Sequence, residues 1–144
     1  MYQKDYILRM VEMIGDLIAA FLGLLKKGDL DQAEKLIERG YIELLRNDAS
    51  FFLLIPKEQL TDKLIGEHHY EHYHLEILAE LFYAEAKLSE VQNRPQQSLA
   101  CYEKSLILSG FLEQNDKTWS ARREERKIFM EDKIAELRLS KNLK

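Results

Sequence analysis

Cysteine occurs once in the 144 residues, at Cys101. That excludes an internal disulfide and any zinc site needing two thiolates. Proline occurs twice and glycine six times, so little interrupts a helix. Long apolar runs are also missing. Leu17 to Leu25 spans nine uncharged residues, against about 20 for a bilayer crossing. Asp5, Arg9, Glu12 and Asp16 break the stretch ahead of it, unlike the unbroken apolar centre of an export signal. The expectation is a cytoplasmic chain, with Cys101 reduced and no membrane contact. There is no Gly-rich phosphate loop, no His-Glu-x-x-His order and no marked nucleophile elbow. What is present is 46% hydrophobic and 32% charged, a composition that folds and favours helix.

Net charge is −4 but unevenly placed. Residues 1–116 carry twelve basic and twenty acidic side chains; residues 117–144 carry nine basic and five acidic. An acidic body repels phosphate, which argues against a nucleic-acid partner. The first acidic surface available to the basic tail is its own body.

Apolar spacing predicts helices over about 3–27, 30–46, 67–92, 95–108 and 117–140, with a short one from Pro56 to Gly66. Phe51 to Ile55 reads as one helical turn or an extended connector. Gly28 sits where a left-handed residue closes a helix, and Asp29 with Gln32 reads as the next cap. Pro95 suits a first helical position. No strand-like alternation occurs. The expected fold is all-α, one domain over 1–144 with five to six helices and an irregular insertion at 47–66.

A shift of 65 residues lays helices one and two onto four and five. Gly28 then meets Asn93, and Leu17, Ala33, Ile37 and Gly40 meet Phe82, Ser98, Tyr102 and Ser105. The series Phe82, Ala86, Ser98, Tyr102, Ser105 resembles the tetratricopeptide repeat in its large, small, small, aromatic, small order. Phe21 and Ile37 depart from that order in the first unit, and Leu45 and Gly110 stand where the late proline belongs. The resemblance implies an antiparallel helix-hairpin array over the pairs 3–46 and 67–110. The whole chain is also similar to a group of uncharacterised bacterial proteins, through the stretch Asp5-Tyr6-Ile7-Leu8-Arg9-Met10-Val11-Glu12 and the pair opening Pro95-Gln96-Gln97-Ser98. That likeness implies a small helical protein and supplies no activity.

The four histidines are His68, His69, His72 and His74. On a continuous helix His68, His72 and Glu76 would share a face, and imidazoles four apart can hold a metal; the other reading is that they finish a packed face. Cys101 falls too far from them along the helix pair to be activated, and reads as structural. The repeat resemblance implies an inner face that holds a peptide, and on the fourth helix that face carries Glu80, Tyr83, Lys87 and Glu90. In the last helix Trp119, Met130, Ile134 and Leu137 form one apolar stripe, and Ala121, Ile128, Ala135 and Leu139 another. Arg122, Arg123, Arg126 and Lys127 run between them.

Helix one has an apolar arc of about 200°, wider than the roughly 100° stripe of an ordinary surface helix. A second copy is an economical cover, so Met10 and Ile14 are the expected self-association face of a homodimer. The leading expectation is a non-enzymatic protein-protein interaction or scaffold module with a protein or peptide partner and no cofactor. Two alternatives stand beside it: a nucleic-acid-associated or regulatory protein acting through the basic last helix, and a metal-dependent enzyme using His68 and His72.

Overall fold

The computed structural model describes residues 2–115 and 121–143. Trp119 and the expected helix start at Lys117 lie outside them. The described residues are helical throughout their regular structure, with no strand among them. In chain order they form α1 (Tyr2–Lys27), α2 (Leu30–Leu45), α3 (Ala49–Leu53), α4 (His72–Val91), α5 (Pro95–Asn115) and α6 (Ala121–Leu143). Between α3 and α4 lie a 3-10 turn (Lys57–Gln59) and a π-helical segment (Asp62–Glu67).

The two main turns close with the same bonds. Asp29 N donates to Leu24 O and Gly28 N to Leu25 O; 65 residues on, Arg94 N donates to Ser89 O and Asn93 N to Glu90 O. Gly28 and Asn93 both take the left-handed conformation, at φ 80° and 61°, which lets these bonds satisfy the last carbonyls of each helix. Asp29 accepts from Gln32 N at 3.3 Å as the cap of α2. Asp48 does the same for Phe51 N at 2.9 Å, which settles Phe51 to Ile55 as mostly the short helix α3.

Two boundaries differ from the sequence reading. The fourth helix begins at His72, not Glu67. Tyr70 must reach back to α2, where its hydroxyl donates to Leu45 O at 2.9 Å and accepts from Asn47 Nδ2 at 2.7 Å. To place it there the chain turns at His69, φ 58°. The fifth helix continues past Gly110 to Asn115, which carries Leu112 as well as Leu108 into the core.

Helix α4 is the central element, touching α1, α2 and α5. Helix α5 folds back along it. Ser98 Oγ donates to Ala86 O at 2.8 Å and Ser105 Oγ to Ala79 O at 2.7 Å, so each serine satisfies its own hydroxyl while letting the backbones approach. At the place equivalent to Ser105, a Cβ on Gly40 would come within 2.9 Å of Leu81 Cδ2 and 3.1 Å of Leu17 Cδ1. Ala86 and Ser98 are fully buried. Ala86→Leu therefore overpacks this crossing and should cost about 1–3 kcal/mol, read as a lower urea midpoint at unchanged slope; an unchanged midpoint would mean the pair has slack.

Helix α1 lies at the edge. Ile14, Ile18 and Phe21 are fully buried against α2 and α4, while Tyr6, Leu8 and Met13 remain 46%, 53% and 45% exposed. Ile14 is thus core, 0% exposed within a single chain, and Met10 is half-buried against the same core. This corrects the expectation that the two residues form an open self-association face. The chain's own core takes in the side that a second copy was expected to cover. Among the described residues no helix is long and apolar enough to cross a membrane.

Candidate functional site

The basic last helix lies on the acidic body. Arg126 Nε donates to Glu80 Oε2 at 3.0 Å, and Arg122 stands 3.9 Å from Glu80 Oε1. Lys127 faces Glu113 at 3.6 Å, Lys133 donates to Glu90 at 2.7 Å, and Arg138 donates to Glu103 at 2.6 Å. Gly15 of α1 leaves room for this: a Cβ there would lie 2.7 Å from an Arg122 nitrogen. Arg123 is buried. The cations at 122, 126 and 127 are spent on carboxylates of their own chain.

Between these pairs sits an aromatic cluster. The Phe129 ring is 5.9 Å from Tyr83 and 6.2 Å from Tyr102, both edge-on, an attractive geometry for aromatic quadrupoles. Lys87 Nζ stands 4.4 Å over the Phe129 ring, and the Arg126 guanidinium 4.2 Å over Tyr83. Burial lowers the Lys87 pKa, with Lys133 and Arg126 adding to that and Glu90 opposing it. Burial raises that of Glu80 against the opposing pull of Arg126 and Arg122. Tyr102 donates its hydroxyl to Glu90 at 3.1 Å. Met130 and Ile134 are buried here and Leu137 packs beside them. Ile128 and Leu139 of the other stripe stay 59% and 63% exposed.

Tyr83, Lys87 and Glu90 therefore come together as the sequence suggests, but they are not an open groove. Helix α6 occupies them, which corrects the expectation of a free peptide-binding face. Phe129, the ring at the centre, was absent from both predicted stripes. Its position three residues after Arg126 and four before Lys133 was the available signal.

The histidines do not converge. His68 ends the π-helical segment and meets the Phe51 ring at 4.9 Å, while His72 opens α4 and meets Phe111 at 5.6 Å. The break at His69 removes the continuous helix that would have aligned His68, His72 and Glu76. Among the described residues no three His, Cys, Asp or Glu side chains are grouped to hold a metal ion. His74 instead caps α4: Glu71 N donates to its Nδ1 at 3.0 Å, and the Glu71 side chain accepts from the His74 backbone in return. Partial burial lowers the His74 pKa, which keeps Nδ1 free to accept. Cys101 is buried, and desolvation, reinforced by Glu85, pushes its thiol up to about 12. A protonated thiol in that setting is a poor nucleophile.

A second titratable cluster was not foreseen. Glu85 on α4 faces Glu34 and Glu38 of α2, and burial together with these like charges raises it to about 7. The Tyr41 hydroxyl beside it is buried and has no hydrogen-bond partner among the described residues; burial first, then the Glu85 charge, raises its pKa.

Compared with protein-family models, curated proteins and solved structures, the chain matches none.

Proposed function

We propose that this chain is a non-enzymatic protein-protein interaction module, an antiparallel helix-hairpin array of the tetratricopeptide kind. The observation that carries the reading is the repeated turn chemistry at Gly28 and Asn93, 65 residues apart and closed by the same two backbone bonds. Direction supports it. Tyr6 meets Tyr73, and Leu17 and Leu81 converge on Gly40, so α1 and α4 run the same way. Arg126 to Glu80 and Lys133 to Glu90 give α6 that direction too. The inner helices are then α1, α4 and α6, with α2 and α5 outside, and α6 takes the place of a third unit's first helix. Stacking of this kind buries each unit's open face on the next.

The partner is a protein or peptide. Self-association goes with the reading through the flank of α1 that carries Tyr6 and Met13. Captured full length from its native cell after cross-linking, the chain should carry a protein partner whose cross-links fall on one face. Recovery of nucleic acid that leaves steeply with salt, or of stoichiometric bound metal, would instead favour the alternative functions and end this one.

A further inference from the structure

The main hydrophobic cluster of the described residues draws on α1 through α5 and includes no residue of α6. A second, smaller cluster holds Tyr83, Ala86, Cys101 and Tyr102 of the body against Met130 and Ile134 of α6. The body thus has a core without α6, and the last helix is held by one satellite cluster and a row of ion pairs. Most of these ion pairs are partly exposed. Such pairs contribute little each to stability; what they set is register, partner choice and speed of association.

We propose that the α4–α5 face is a receptor for a basic amphipathic helix, and that α6 is its occupant in cis, displaced by a partner helix of the same chemistry. This deepens the interaction-module reading and rests on it. The face specifies its ligand closely. Glu80 takes a cation, the Tyr83–Tyr102 pair takes an aromatic ring three residues later, and Glu90 takes a second cation four after that. In α6 these are Arg126, Phe129 and Lys133. Aliphatic residues follow the ring and the second cation, as Met130 and Ile134 do. Lys87, seated over the ring, adds a cation–π contact that a purely aliphatic helix would lose. The partner is a helix reading cation, aromatic-aliphatic, cation-aliphatic at i, i+3, i+4, i+7 and i+8.

The test uses the full chain and a fluorescent synthetic peptide of residues 121–143 as the probe. In a variant with its own α6 weakened by Phe129→Ala and Lys133→Glu, the probe should bind at least about tenfold more tightly than to the wild type. That is the factor expected when the cis helix fills about nine-tenths of the faces. Binding should weaken with salt, and Glu80→Lys added to the same variant, which sets a cation against Arg126 of the probe, should abolish it. Equal binding by both proteins, or none by a variant whose circular dichroism and melting show a folded body, would overturn the proposal. If that variant does not fold, Arg126→Ala with Lys133→Ala, which leaves the aromatic cluster intact, repeats the comparison. Loss of the whole fold in this milder variant too would overturn the proposal, since α6 would then be part of the main core. Failure of the probe removes this inference alone, whereas absence of any protein partner in the capture experiment removes the wider reading.

Discussion

Glu85→Gln should stabilise the protein at about pH 8 by on the order of 3 kcal/mol, the free-energy equivalent of a carboxyl raised from 4.5 to about 7. The cause is that α4 carries Glu85 into a poorly solvated place opposite Glu34 and Glu38. The folded chain holds a proton there that the unfolded chain releases. Stability from this group is therefore fully present below about pH 4.5, falls as pH rises towards 7, and is lost above that. Glutamine keeps the shape and removes the charge, so the gain should vanish near pH 4.5 and reach its maximum above neutrality. Urea titrations of both proteins at several pH values measure it directly. Identical pH slopes would mean that Glu85 is solvated in the native state.

Ile14→Lys should unfold the chain. The side chain is fully buried, so the change removes packing worth about 2–5 kcal/mol and adds several kcal/mol for an unpaired buried charge. The total is comparable with the whole stability of about 5–15 kcal/mol typical of a domain. Had the face of Ile14 been a dimer interface, the same change would have given a soluble monomer. Met13→Glu, one residue away and exposed, is the contrasting probe: it should leave the helical signal intact and convert any dimer to monomer in sedimentation. A folded, helical Ile14→Lys protein would place Ile14 at an interface after all.

Local features were legible in the sequence. Gly28, the Asp29 cap and Pro95 depend on bonds within a few residues, and the backbone must satisfy them whatever lies across from it. The crossing of Ala86 with Ser98 was legible because small residues at that spacing leave few other arrangements. The imbalance of charge between body and tail also pointed to their contact, since opposite charges on one chain are each other's nearest partners. The stripe of Met130, Ile134 and Leu137 followed from periodicity alone.

What only the tertiary structure decided was which face of each amphipathic helix is covered, and by what. The wide apolar arc of α1 fitted a second copy or the chain's own helices; long-range packing buried Ile14 within the single chain and left Tyr6, Leu8 and Met13 outside. Tyr83, Lys87 and Glu90 read as an open groove because nothing in their own helix shows that α6 lies over them. Tyr70 had to reach Leu45 and Asn47, and that distant demand ended the expected long helix before His72, separated the histidines and made His74 a cap. Glu85 has an ordinary place on a helical wheel. Its shifted pKa exists only because α2 brings two more carboxylates opposite it, and a charge is perturbed by what is near in space, not by what is near in sequence.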